Sequence, residues 1–366
     1  MENKPRLLPL LAKTVLLFLV FNFGSVLAAR IPLGRLTLYN HVFPGRERLP
    51  FGESRESYNL SLFNLDAMFA SHVVSGATRA QNEYRVFLLG DSSVWGTLLR
   101  PEETLAGQIN LKSIHACGKN VRAYNLGYPT ISLTKDLMIL DQALDYQPNM
   151  VVWLTTLEAF PNDKQPESPL VANNSGRVGQ LIARHRLSMD PNDSNYKHLK
   201  GFDRTFIGQR RSLADLLRLQ LYGALWSSTG VDQVYPLNYD RAQADFESDE
   251  NFHDIEKESF GKSLAWDVLE AGMQTAKAQV ILINEPMLIG SGRNSDIRYN
   301  FLYPRWAYDR YRDRLARGAE MHRWNYIDLW DLVPPNEFTN SAIHLTPFGE
   351  SKLADAVAKA IRETCK

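Results

Sequence analysis

From residue 84 onward, short apolar runs alternate with stretches of helical periodicity. The runs at 84–89, 121–126, 150–154, 279–284 and 324–329 are short, rich in Val, Ile and Leu, and read as buried strands; Gly90 and Gly127 directly follow the first two. Helical spacing fills 133–146 and 260–278, and an amphipathic final helix is marked by Leu353, Ala354, Val357, Ala360 and Ile361. Strands alternating with helices predict βαβ units and a parallel sheet. In such sheets function collects where loops leave the carboxyl ends of the strands.

The third and fourth strands lie more than a hundred residues apart, too far for one crossover. Within that gap, 165–201 is rich in Pro, Asn, Asp and Ser and predicts an elaborated surface loop. The leucine-dense stretch 213–226 predicts a core or lid helix, with a membrane-surface helix as the alternative. Residues 31–80 are turn-rich apart from a helical patch at 60–72, and read as a membrane-proximal segment.

At the N-terminus, Lys4, Arg6 and Lys13 precede sixteen uncharged residues, 14–29, and Arg30 closes the run. As an anchor, 7–29 is long enough to cross ~30 Å of hydrocarbon; as a cleaved signal peptide it offers small residues near Ala28. Either reading exports the bulk of the chain. The expected division is 1–30 anchor or signal, 31–82 membrane-proximal segment, and 83–366 main domain with an insertion at about 161–277.

Composition narrows the picture further. In 366 residues, Lys plus Arg (41) equals Asp plus Glu (41), which argues against a nucleic-acid binder. The 44% hydrophobic and 22% charged content suits a packed globular protein rather than a disordered one. Two cysteines, Cys117 and Cys365, exclude a disulfide framework and a multi-cysteine metal site. Because one sits beside the C-terminus, both are read as free, with pairing in an oxidising compartment as the alternative. No phosphate-cradling loop, HExxH helix or calcium loop is present, so no cofactor is expected.

Two sites carry candidate chemistry. Gly90-Asp91-Ser92 stands directly after the first strand, where a following helix supplies backbone N–H groups and the positive end of its dipole. There Ser92 is a nucleophile or, more plainly, part of an N-cap with Asp91. His344 lies in a loop just before the final helix, within Ile343-His344-Leu345-Thr346-Pro347-Phe348-Gly349. Glu285 follows the fourth strand and either lines a pocket or belongs to a turn closed by Pro286. The aromatic cluster from Tyr299 to Tyr311 either stacks on sugars or packs a helix.

Together these segments resemble the SGNH hydrolase family, also called GDSL esterases, over 83–160 and 278–366. Leu88-Leu89-Gly90-Asp91-Ser92 matches the first family block, Tyr124-Asn125-Leu126-Gly127 the second, and the segment around His344 the last. The resemblance implies a three-layer α/β/α sandwich on a five-stranded, mostly parallel, flavodoxin-like sheet, preceded by the N-terminal hydrophobic helix. It implies Ser92 as nucleophile, His344 as general base, Gly127 as a backbone N–H donor to the oxyanion, and Asp91 as support of the turn. Two departures stand out. Leu157 occupies the place of the third block's Asn, leaving Thr155 or Thr156 as substitute donors; one lost donor costs about 10²–10³ in rate elsewhere. The last block's Asp is replaced by Ser341, beside Asn340, so either would orient His344 as a neutral partner, with Asp328 or Asp331 as a charged one.

The expected activity is a serine-dependent ester hydrolase or O-acyltransferase acting outside the cytoplasm. Its expected partners are an ester substrate, such as an acylated envelope polysaccharide, and the membrane through the N-terminal helix, with no nucleic acid. The alternative is an SGNH-like scaffold that binds carbohydrate or a protein partner with little catalysis. Lipid substrates become the expectation if 213–226 forms a mobile apolar lid.

Overall fold

The computed structural model describes residues 7–28, 33–52, 60–76, 79–230, 238–243, 249–276 and 278–365. Lys4, Arg6 and Arg30, the outer charges of the anchor reading, lie outside these residues.

All five expected strands form. They are β1 (Glu83–Leu89), β3 (Lys119–Asn125), β4 (Met150–Thr155), β5 (Gln279–Asn284) and β6 (Asn325–Asp328), joined by a two-residue β2 (His115–Ala116). The order is β2-β3-β1-β4-β5-β6. Every pair among the five long strands is parallel, and only β2 runs antiparallel, on β3. Leaving β2 aside, the order is that of a flavodoxin-like sheet. The expectation of five strands falls one short, because two residues are too few to show a period. β2 exists because the chain doubles back at Cys117 and Gly118, both at positive φ.

Period-two alternation sends the strand side chains into two cores. Val86, Leu88, Val152, Leu154, Ile281 and Ile283 pack with the helices Leu105–Leu111 and Pro347–Glu363. Phe87, Leu89, Val151, Trp153 and Leu282 pack with Leu133–Ala143, Trp266–Thr275 and Arg305–His322. The result is a three-layer α/β/α sandwich. β1 and β4 are buried at every residue, which is why their sequences read as continuous apolar runs. The final helix starts where Thr346 accepts from Gly349 N–H and Pro347 takes the first position, where its missing N–H costs nothing.

Several sequence expectations are corrected. The first half of the 165–201 segment is helical (Lys164–Glu167, Pro169–Asn173 and Ser175–His185), because Val178, Leu181 and Ile182 bury one face while its polar residues look outward. Residues 186–200, by contrast, are the expected irregular loop. The helix expected over 260–278 begins only at Trp266, since Ala265 N–H is held by the Phe160 carbonyl. Cys117 and Cys365 are not free but form a disulfide, with their Cα atoms 5.1 Å apart. The final helix packs against β2 and so brings together two thiols 248 residues apart in sequence.

The segment after the N-terminal helix is built into the main domain. Arg48 donates to the Gly96 and Leu99 carbonyls, and Trp95 Nε1 donates to the Leu49 carbonyl. Its helix Leu65–Ser71 adds Leu65, Met68 and Phe69 to the core. The N-terminal helix Leu7–Ala28 stands largely outside the cores; its stretch Leu7–Val26 has mean hydropathy 2.0 and is 6% buried. By length and composition it is apolar enough to cross a membrane.

Candidate active site

The turn after β1 is formed by a capped helix end and two close backbone approaches. Asp91 Oδ1 accepts from Ser93 N–H at 2.9 Å and caps the short helix Ser92–Trp95. A Cβ on Gly90 would lie 2.6 Å from Val94 Cγ2, and one on Gly127 would strike the Trp95 backbone nitrogen. Glycine at 127 therefore lets the loop after β3 close on the Ser92 helix, and glycine at 90 leaves room for Val94 within the β1 turn. Ser92 N–H, first in its helix, meets no acceptor among the described residues.

His344, 252 residues away in sequence, lies against this turn, with its Nε2 2.7 Å from Ser92 Oγ. Its Nδ1 lies 2.9 Å from Asn340 Oδ1, which also accepts from Thr339 Oγ1 at 3.3 Å. An oxygen that accepts from both neighbours makes His344 Nδ1 the protonated nitrogen, so Nε2 carries the lone pair that Ser92 O–H donates to. Burial lowers the His344 pKa to about 4, leaving a neutral imidazole at pH 7. Of the two orienters considered, Asn340 makes the contact; Ser341 makes no hydrogen bond to the ring. Asp328 is engaged elsewhere, accepting from Arg312 and Asn284.

The expected oxyanion donors fare less well. Gly127 N–H is already committed to Asn125 Oδ1 at 3.0 Å, while Asn125 Nδ2 donates to the Val94 carbonyl at 2.8 Å. Asn125 thus staples the β3 loop to the Ser92 helix and uses the N–H expected to face the substrate. Thr156, the expected substitute, is fully buried with its hydroxyl 2.7 Å from the Tyr303 hydroxyl. Leu157 is core. The Thr155 hydroxyl is buried with no partner among the described residues.

Beneath the turn lies an ionisable network with little signal in the sequence. Lys135, fully buried, donates to the carbonyls of Gly90 at 2.7 Å and Tyr128 at 3.1 Å, and pairs with Asp136 at 2.5 Å. Burial raises the Asp91 carboxyl, against the opposing pull of Lys135. Ser93 Oγ donates to Glu285 Oε2 at 2.5 Å. Burial, and then the nearby Asp91, hold Glu285 well above the usual carboxylate range. Glu350 is pushed up to about 8 by burial alone. Glu285 and Glu350 together line a small internal cavity under Ser93. Glu285 is therefore an internal support of the turn. Only its position after β5 hinted at this, since a Glu before Pro carries no burial signal.

The loops after β3 and β4 flank that of β1 in the sheet order, and they line an open pocket of about 260 Å³. Its lining includes Thr130, Ile131, Glu158 and Lys164. His253 Nε2 donates to Glu158 at 2.9 Å, and that hydrogen bond raises the His253 pKa. Tyr303, Tyr308 and Tyr311 are fully buried, so this part of the aromatic cluster packs the core. Among the described residues, no group of three His, Cys, Asp or Glu side chains is placed to hold a metal ion.

No family model and no curated protein matches the chain. Solved structures similar to it include a member of the lipolytic protein G-D-S-L family from Veillonella parvula DSM 2008, at 10% identity and TM-score 0.36 over 75% of this chain and 96% of that one. The aryl esterase of M. smegmatis is similar at 12% identity and TM-score 0.35, covering 76% of this chain and 99% of its own. A carbohydrate acetylesterase from Sinorhizobium meliloti follows at 11% identity and TM-score 0.34, again with 76% and 99% covered.

Proposed function

We propose that this chain is an SGNH-type serine ester hydrolase or O-acyltransferase, anchored by its N-terminal helix with the α/β domain outside the cytoplasm. The observation that carries the chemistry is the Ser92 hydrogen bond to His344 Nε2 at 2.7 Å, with Asn340 holding the opposite ring nitrogen. In that geometry His344 takes the Ser92 proton as Oγ attacks an ester carbonyl. The tetrahedral oxyanion is met by Ser92 N–H, and collapse expels the alcohol, which receives the proton from His344. Water or an acceptor hydroxyl, deprotonated by His344 in turn, then releases the acyl group. Asp91, Lys135 and Glu285 hold the turn in place and do not react.

The apolar helix supports membrane attachment, and the Cys117–Cys365 disulfide supports an oxidising compartment. From that position an acylated cell-envelope polysaccharide is the substrate class within reach. A second reading, a catalytically weak scaffold that binds carbohydrate or a partner, is favoured by one observation: Gly127 N–H is committed to Asn125 while Leu157 offers no donor.

The test uses the full chain in lipid nanodiscs, treated with a fluorophosphonate and read by intact mass. A single adduct, absent from Ser92→Ala, is the expected result. No adduct on the folded parent would reject the hydrolase reading and leave the scaffold.

A further inference from the structure

Apolar side chains are exposed unevenly over this molecule. Outside the N-terminal helix, eight of the eleven large exposed hydrophobics among the described residues fall in two short stretches; Leu111, Met321 and Phe348 are the other three. Leu36, Leu38 and Val42 belong to the chain just past the N-terminal helix. Leu199, Phe202, Phe206, Leu217 and Leu221 belong to the turn before the helix Arg210–Thr229 and to that helix itself.

These two stretches are joined to each other and to the N-terminal helix. Leu38 N–H donates to Gln220 Oε1 at 2.7 Å, and Tyr39 O–H to the Leu219 carbonyl at 3.2 Å. Phe206 N–H donates to Ser25 Oγ at 3.1 Å, Ile207 N–H donates to Asn22 Oδ1 at 3.0 Å, and Phe206 stacks on Phe21 at 5.0 Å. These contacts set a depth. Phe21 lies five residues before Val26, the end of the apolar stretch, which at 1.5 Å per residue is about 7 Å inside it. If the helix spans a bilayer, Phe206 must sit near the boundary of headgroups and acyl chains.

The helix Arg210–Thr229 fits that location. Leu219, Gly223 and Trp226 form its inner face, and Trp226 packs beside Tyr39 with Arg46 over its ring. Leu217 and Leu221 lie on the opposite side, 62% and 63% exposed. At 100° per residue each is turned about 160° from Leu219, so among the described residues a second apolar face has no partner. Lys200, Arg204, Arg210, Arg211 and Arg218 are exposed along the same stretch, against only Asp203 and Asp215 of opposite sign. Apolar side chains bordered by basic ones describe a segment lying in an anionic membrane surface.

We propose that the 199–221 segment, with 36–42 beside it, is a second membrane contact, lying in the surface of the leaflet the N-terminal helix leaves. The helix and this face together fix the domain's orientation rather than tethering it loosely. The proposal rests on the anchor reading of the N-terminal helix.

The native cysteines are paired, so a single introduced cysteine accepts a fluorophore. Leu217→Cys, Leu221→Cys and Phe202→Cys, with Met321→Cys as the distant control, are labelled with an environment-sensitive dye. The full chain is placed in phosphatidylcholine–phosphatidylglycerol nanodiscs, one chain per disc. Ala224→Cys, exposed beside Leu217 and Leu221, replaces any variant whose thermal midpoint shows it misfolded. Blue-shifted emission at the three sites, quenched at least twofold by headgroup or shallow acyl nitroxide lipids, with Met321→Cys water-like and unquenched, is the expected result. Water-like emission at all sites on an intact chain overturns the proposal while leaving the anchor standing. A blue shift that nitroxide lipids leave unquenched also overturns it, by assigning the face to protein contact. A mature protein whose intact mass begins after Ala28 overturns both this proposal and the anchor.

Discussion

At the scale of single residues, the site turns on how a neutral partner serves His344. Asn340 Oδ1 selects the tautomer that leaves Nε2 free for Ser92, but an amide cannot balance the imidazolium that the proposed mechanism forms as Ser92 is deprotonated. Asn340→Asp adds that charge where the ring already donates, so it should raise the rate of fluorophosphonate labelling several-fold. Asn340→Ala releases the ring and should lower it by about tenfold or more. Equal rates in all three proteins would remove Asn340 from the mechanism. Ser92, Asp91 and His344 were legible in the sequence because their neighbours carry local patterns: a strand ending in glycine, and a Thr-Pro helix start. The choice of Asn340 over Ser341 was not legible, since one residue of difference in a loop decides which side chain meets the ring.

At the scale of elements, the disulfide ties the final helix to the β2–β3 turn. That helix follows the loop carrying His344, and it packs on the sheet face behind the Ser92 turn. Closing a loop of this length restricts the unfolded chain, typically by about 3–5 kcal/mol. The paired variant Cys117→Ser/Cys365→Ser should therefore show a lowered urea midpoint with a larger m-value, because the unlinked unfolded chain exposes more surface. An unchanged midpoint would show that the link adds nothing to stability. Strands and long helices were legible because burial on two faces writes continuous apolar runs and burial on one face writes a helical period. The helices within 165–201 escaped because their outward faces are polar enough to read as loop, and β2 escaped because it is too short to have a period.

At the scale of the molecule, two histidines held neutral by the fold, the buried His72 and the half-buried His344, make stability depend on acid. His72 is fully buried, with Nε2 donating to the Asn125 carbonyl at 3.0 Å and Nδ1 accepting from Val74 N–H at 3.1 Å. Burial lowers its pKa to about 4, as it does that of His344. Above pH 6.5 the folded and unfolded chains hold both rings neutral. As pH falls from 6.5 towards 4, the unfolded chain takes up protons that the folded chain refuses, and stability drops; below about 4 these two groups add no further loss. For His72 the loss is about 3 kcal/mol at 1.36 kcal/mol per pKa unit. Glu285 and Glu350, kept protonated by burial, move stability the opposite way over the same range in both proteins. Between pH 7 and 4 the urea midpoint of the parent should therefore fall relative to that of His72→Gln. Matching slopes in the two proteins would exclude His72 as the source.

The sequence by itself determined the α/β alternation, the five long strands, the apolar N-terminal helix and the two segments that meet as Ser92 and His344. Each of these rests on residues close together in the chain, where period, capping and turn chemistry leave a local trace. Only the tertiary structure decided the Cys117–Cys365 pairing, the commitment of Gly127 N–H to Asn125 and the burial of Thr156 against Tyr303. The same holds for the carboxyls and lysine buried under the turn. These depend on which distant surfaces the sheet brings into contact, and on how much water that contact removes, and neither quantity is written in the order of residues.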